Sequence, residues 1–359
     1  MIETKVAVIG CGVVGAAIAY ELSQVPHLKV TVFDRQMPAQ ESTGAALGVL
    51  MAAISQKVKG RNWRLRQTSL ERYDALVNEL EAATGRSVPY NRAGIVSLIY
   101  DETTWPKWEK LQTVRQEQGY PLALWTPEQL REHLPLLNPA GICGAVYSSR
   151  DRQIHPAQFT QALVAAAQQR GVTFHLNCNV RAIQYPLLQT DQGTDTADWI
   201  VIASGLGSRL LSPSPLPMIP VLGQAIKIQC ASSLLPKTFQ PVVNGNDIHL
   251  VPLGKNQYWI GATVEFPPQA PDISIDGLIP KADSLQTVLN GAIAYCPALA
   301  QGTIIEQWSG LRPRPQGQPA PVIQPVEDNA RIILATGHYR NGVLLAPATA
   351  LTVKSMLRE

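Results

Sequence analysis

An excess of charge of either sign is what this 359-residue sequence most lacks: 30 Lys and Arg stand against 27 Asp and Glu, a formal net charge of +3. A protein that grips nucleic acid by bulk electrostatics carries a much larger basic surplus, so no nucleic-acid partner is expected. Long apolar runs are missing too. No window reaches the roughly 18 consecutive apolar residues of a membrane-crossing helix. Cysteine is scarce and odd in number: Cys11, Cys143, Cys178, Cys230 and Cys296 are nowhere closer than Cys143 and Cys178. Neither a disulfide framework nor a paired-thiol zinc site fits that spacing, which suits scattered core thiols in a reducing compartment, and no metal is expected. Charged residues are only 16% of the chain and aromatics 6%; the charged share lies below the usual ~25%, which argues against a disordered or coiled-coil chain. Only Met1 to Thr4 precede the first strand-like run. No secretory leader is expected there, and the expected location is cytoplasmic.

What is present is enough chain for about two domains. Proline is abundant at 28 residues, and it gathers between Leu211 and Pro220 and between Arg312 and Pro325. Both stretches read as loops between packed units. Lys5–Ile9 is an apolar, β-branched run that stops at glycine, Val13–Gln24 has helical apolar spacing, and Lys29–Asp34 is a second strand ending in an acid. This βαβ unit carries Gly10-x-Gly12-x-x-Gly15 in its first turn. A long helix is expected over 61–83 with Gly85 as its stop, another over 156–170, buried-type strands over 199–205 and 331–335, and a closing helix over 341–357. Between 219 and 310 longer strands alternate with turns around one helix over 278–295, the pattern of an α+β insertion.

Each glycine of the turn has its own task. Gly10 permits the tight turn, Gly12 lets backbone approach a pyrophosphate, and Gly15 lets helix and strand pack closely, while Val13 and Val14 begin the helix whose N–H groups face the phosphates. Asp34 lies where a carboxylate accepts from ribose hydroxyls, with Arg35 beside it. The motif alone suits NAD or FAD. The α/β pattern here resumes only after long insertions and finishes at the C-terminus, a division that favours FAD. The run Gly337-His338-Tyr339-Arg340-Asn341-Gly342-Val343-Leu344 then joins a buried strand to the last helix, whose N-terminus again offers N–H groups to an anion.

Taken together, Gly10 to Gly15 with Asp34, Ile202-Ala203-Ser204-Gly205, Trp308-Ser309-Gly310-Leu311-Arg312-Pro313 and the run from Gly337 to Pro347 closely resemble the glycine oxidases of the D-amino-acid oxidase superfamily. The resemblance covers nearly the whole chain. It implies an α/β protein with a discontinuous, Rossmann-like FAD-binding domain (1–86, 146–215 and 312–359) and an α+β substrate domain with a mainly antiparallel sheet (87–145 and 216–311). It implies FAD-dependent oxidation of a small amino acid or amine such as glycine, sarcosine or a D-amino acid by hydride transfer, with O₂ reduced to H₂O₂. The same resemblance makes Arg312 the carboxylate-binding arginine and Arg340 a second active-site arginine, and it places Thr43, Gly44, Ala45, Ala46, Val180, Ser204 and Gly205 among the cofactor's neighbours. Backbone N–H groups of Asn341, Gly342, Val343 and Leu344 would face the pyrimidine end of the flavin. No cysteine follows Cys296, so non-covalent FAD is expected.

Two departures stand out. Asn244 and His249 lie where glycine oxidases line the substrate pocket with tyrosines, which puts glycine itself in question. Lys57, Lys59, Arg61, Arg64 and Arg66 crowd into ten residues, a solvated helix start or a docking patch for an acidic partner, an anionic substrate tail or a membrane surface. Self-association into a homo-oligomer stays open. So do two other readings: a dehydrogenase passing electrons to a quinone or carrier, and a flavin-bearing, partner-binding protein without oxidase turnover. His155 reads as a helix-entry residue, and His338 as near the flavin or as a partner of nearby backbone.

Overall fold

A computed structural model describes residues 3–267 and 279–357. Two sheets organise them. The six-stranded sheet runs in the order Val322–Val326, Asn329–Thr336, Trp199–Ile202, Thr4–Ile9, Leu28–Asp34, Thr173–Leu176. Its five strands from Asn329–Thr336 onward are parallel, and only the hairpin partner Val322–Val326 is antiparallel. The inner strands are buried on both faces, which is why they read as unbroken apolar runs. The helices Val13–Leu22, Gly60–Thr84, Pro156–Gln169 and Gly342–Met356 pack with this sheet into the largest core cluster.

The eight-stranded sheet takes Thr303–Pro315, Met218–Gln229, Gln257–Gly261, Ile248–Pro252, Val242–Gly245, Ile95–Ile99, Gly144–Ser148 and Leu122–Trp125, in that order. All its pairs are antiparallel except Val242–Gly245 with Ile95–Ile99. Its strands run on to Ser148 and to Pro315, past residues 145 and 311 where the substrate segments were expected to end. The helix of the insertion is Ala282–Tyr295; its expected start at Leu278 falls outside the described residues. No described helix is long and apolar enough to cross a membrane.

The proline-rich stretches are a correction. Arg312–Pro315 is not a loop but the end of the long strand Thr303–Pro315, in register with Met218–Val221. This strand is the edge of its sheet, so Pro313 and Pro315 forfeit no ladder bond on the outer side. Val322–Val326 is likewise a strand at the edge of the smaller sheet. The three-stranded meander Val180–Gln184, Leu187–Thr190, Gly193–Thr196 has no counterpart among the expectations.

Pro347 sits inside the last helix. Lacking an N–H, it cannot bond the carbonyl four residues back, Val343 O. The Tyr73 hydroxyl donates to that carbonyl instead, and Ser69 Oγ accepts the Ala348 N–H at 3.3 Å. Both side chains are fully buried on the helix Gly60–Thr84, which therefore braces the first turns of the closing helix.

Candidate active site

Five loops converge where the parallel strands end at their C-termini, the position at which open α/β sheets bind ligands. They follow Thr4–Ile9, Leu28–Asp34, Thr173–Leu176, Trp199–Ile202 and Asn329–Thr336, and each lends residues to one cavity of about 560 Å³. Its far wall comes from the larger sheet.

At the nucleotide end, Gly10 has φ +108°, and a Cβ there would lie 2.6 Å from Ala203 O. A Cβ on Gly15 would fall 1.9 Å from Gly10 O, so Gly15 serves packing and stands outside the cavity lining. Gly12 caps the helix Val13–Leu22 without a side-chain bond. Thr43 Oγ1 accepts the Val13 N–H at 3.1 Å; Val14 lines the cavity beside it. Asp34 Oδ2 accepts from Cys11 N–H and Oδ1 from Gln36 N–H, which fixes the carboxylate while each oxygen keeps acceptor capacity for a hydroxyl. Burial pushes the Asp34 carboxyl above the usual range against these bonds. Arg35 is paired with Glu41 at 2.8 Å at the cavity's rim.

The middle is lined by Thr43, Ala45, Ala46, Val180, Ser204, Gly205 and Gly337. Gly44 stands outside this lining; a Cβ on it would meet Ala39 O at 2.6 Å, so it keeps the segment compact. Gly342, Val343 and Leu344 present the start of the last helix to the cavity, whereas Asn341 stays outside the lining and accepts at Oδ1 from Arg66 Nη2 at 3.3 Å.

His338 also lines the cavity, buried, its Nε2 2.9 Å from Thr349 Oγ1. Because the Thr349 hydroxyl donates to Leu345 O at 2.8 Å, His338 supplies the proton between them from Nε2. Burial, and after it the Arg61 guanidinium, hold this imidazole down to about 3. The unfolded chain takes up the proton near 6.5, so between that pH and about 3 it binds more protons than the folded chain, and stability falls as pH falls. The contribution reaches at most about 1.4 kcal/mol per pH unit. His338→Gln should therefore flatten the decline of Tm between roughly pH 6.5 and 4, measured by thermal melts across that range.

The other end carries the chemistry of a substrate wall. Arg312 Nη1 donates to Leu222 O at 3.2 Å and Thr263 O at 3.1 Å, and among the described residues it has no carboxylate partner. Gly223 is the reason it fits: a Cβ there would lie 2.3 Å from the guanidinium nitrogens. Burial, then the nearby Arg340 guanidinium, lower the Arg312 pKa, so a bound carboxylate relieves both costs. Arg340 lines the cavity too and reaches the exposed Asp247 at 3.3 Å. His249 lies within the field of both cations, held down to about 4 by burial and then by Arg340, and is neutral above that range. Asn244 faces His249 across the strand pair, but it is buried outside the cavity lining, donating to Ser97 Oγ at 3.1 Å. Its Oδ1 and His249 Nδ1 are both buried without a partner.

Gly223, with Ala225 and Ala262 beside it in the wall, is absent from the sequence expectations. Glycine inside a long strand was the available signal, since it marks a close approach. The basic stretch is not one surface. Lys57, Lys59, Arg61 and Arg64 are exposed, with Arg61 also donating to Pro321 O and Ile323 O, whereas Arg66 is buried. His155 caps the helix Pro156–Gln169, accepting the Gln158 N–H at 3.5 Å.

Fold and cavity together define a dinucleotide-binding protein whose cavity has a cationic wall at its other end. The family described as FAD dependent oxidoreductase matches residues 5–356. The chain belongs to that family, and FAD is its cofactor. It is 33% identical over 369 residues to the bifunctional protein ThiO/ThiG of Synechocystis sp., which covers 99% of this chain and 52% of that protein. It thus spans about half the length of the first of the curated relatives it matches. It is 29% identical over 364 residues to glycine oxidase of Geobacillus kaustophilus, covering 99% of this chain and 93% of that one. The crystal structure of glycine oxidase from that organism superimposes with a TM-score of 0.88 at 27% identity, covering 100% of this chain and 95% of the other. The residues present fit FAD: the glycine cradle that a Cβ would fill, the fixed Asp34 carboxylate and the helix start at Gly342 lie along one cavity.

Proposed function

We propose that this chain oxidises the C–N bond of a small amino acid or amine, in the manner of a glycine oxidase. The observation that carries the reading is the Arg312 guanidinium, free of carboxylate partners among the described residues, on the wall of the cavity that begins at the dinucleotide turn. Gly10, Gly12, Asp34, Thr43 and the helix start at Gly342 would hold FAD non-covalently. When bound, FAD supplies a hydride acceptor.

Arg312 binds the substrate carboxylate with its fork and so fixes the Cα–H in one orientation. The N–H groups of Gly342, Val343 and Leu344, with the positive helix end, stabilise negative charge developing beside them. His249, neutral, accepts a hydrogen bond from the substrate nitrogen without adding a third cation to the wall. Hydrolysis of the imine in water then gives the aldehydic or keto product with ammonia from a primary amine, or methylamine from sarcosine, and O₂ is the electron acceptor, giving H₂O₂. The similarity to glycine oxidases supports amino-acid oxidation, and the replacement of an aromatic wall by His249 points away from a strict preference for glycine.

The test is anaerobic addition of glycine, sarcosine and small D-amino acids to purified protein, followed by air. Bleaching of the flavin, with H₂O₂ once air is admitted, is the expected result. Bleaching that air reverses slowly and without H₂O₂ would mean a carrier-linked dehydrogenase. Protein carrying flavin that none of these substrates bleaches would overturn the amino-acid reading.

A further inference from the structure

Arg66 is a buried cation that nothing in the substrate wall accounts for. It lies on the helix Gly60–Thr84 and is 8% exposed. Its Nη1 donates to Asn62 O within its own helix at 3.2 Å, its Nη2 to Asn341 Oδ1 at 3.3 Å, and its Nε to nothing. It belongs to no ion pair among the described residues. Asp151, the acid whose field reaches it, commits its oxygens to the N–H groups of Ala52, Ala53 and Ile54. A guanidinium taken out of water with no ion-pair partner, and only the field of Asp151 to offset its burial, is costly, so further negative charge close by would be favourable.

The structure says where that charge would be. Asn341 immediately precedes the helix Gly342–Met356, whose Gly342, Val343 and Leu344 line the cavity. Arg66, Ser69 and Tyr73 share one face of their helix at i, i+3 and i+7. All three bond to this segment: Arg66 to Asn341 Oδ1, Ser69 to Ala348 N–H, Tyr73 to Val343 O. Ser69 and Tyr73 repair the helix where Pro347 interrupts it. Arg66 repairs nothing and brings a full positive charge to the helix's positive end.

We propose that Arg66 is a positioning residue for the cofactor: through Asn341 it fixes the helix start against the flavin, and its charge favours the reduced, negatively charged ring over the oxidised one. The proposal rests on FAD lying in this cavity, but not on which amine is the substrate.

The experiment uses purified holoprotein and no substrate. Sulfite, which adds to electron-poor flavins and leaves negative charge on the ring, is titrated into wild type, Arg66→Met and Arg66→Lys, and each is also equilibrated with a redox dye during slow reduction. Arg66→Met should bind sulfite at least about tenfold more weakly and show about a tenfold lower reduced-to-oxidised ratio at a given dye potential, near 30 mV for a two-electron couple. Arg66→Lys, which keeps the charge, should recover most of both. FAD-replete Arg66→Met with wild-type sulfite affinity and dye equilibrium would overturn the proposal, as would Arg66→Lys behaving like Arg66→Met. Where Arg66→Met does not fold, Arg66→Gln keeps hydrogen-bonding capacity without charge and is read in the same way. A protein whose flavin no amine bleaches still answers both measurements, so failure of the substrate reading and failure of this one are told apart.

Discussion

Arg312→Ala should lower kcat/KM for a carboxylate-bearing amine by about 10² to 10³-fold, the range expected when one partner of a desolvated charge pair is truncated. Two neutral carbonyls, Leu222 O and Thr263 O, hold the guanidinium, and no acid among the described residues competes for it. Its charge is therefore available to substrate. Part of the loss should appear in KM, as binding energy common to ground and transition state, and part in kcat, because an untethered carboxylate lets the Cα–H swing away. Arg312→Lys should recover charge without the fork and so restore KM only in part. Gly223→Ala should reproduce part of the defect with Arg312 intact, since the new methyl would meet the guanidinium at 2.3 Å. Steady-state kinetics with paired substrates, an amino acid and the corresponding amine without its carboxylate, measure the effect. An equal loss with both would show that Arg312 supports structure and does not recognise the carboxylate.

The second large effect concerns stability. Asp151→Ala should cost about 3–9 kcal/mol, because three buried N–H groups lose their acceptor at about 1–3 kcal/mol each. Asp151 is fully buried and accepts from Ala52, Ala53 and Ile54 at 2.7, 2.8 and 2.9 Å. These residues open the loop that leaves the cavity wall at Val49. Arg115 fastens the same loop from outside, donating to Ala53 O, Ser55 O and Lys57 O, its guanidinium 3.6 Å from the Trp63 ring centre. Asp151→Asn should lose much less, since one oxygen, Oδ1, already serves Ala52 and Ala53. Thermal unfolding of the flavin-loaded protein separates the two variants; a Tm for Asp151→Ala within a degree or two of wild type would refute the argument.

The nucleotide end of the site was legible because it is local. Gly10 to Gly15 and Asp34 belong to one βαβ unit, where spacing along the chain is spacing in the fold. The substrate wall was legible only by resemblance, since Arg312, His249 and Gly223 meet through pairings that cross about 90 residues or less between strands no short-range pattern joins. Proline misled: Pro313 and Pro315 read as loop, yet an edge strand tolerates them. Charge misled as well, because a run of five cations says nothing of which ones turn inward, and Arg66 turns in while Lys57 and Lys59 do not. Asn341 read as a cofactor neighbour from its place in the motif, but its side chain answers to Arg66, on a helix some 275 positions earlier.

The two walls of the cavity come from different sheets, and this division has an evolutionary consequence. The residues proposed to hold the cofactor sit on loops of the six-stranded sheet, while Gly223, His249 and Arg312 sit on strands of the eight-stranded one. Descendants of such a chain are free to drift along the second wall, exchanging one metabolite for another, without risking the loss of the nucleotide.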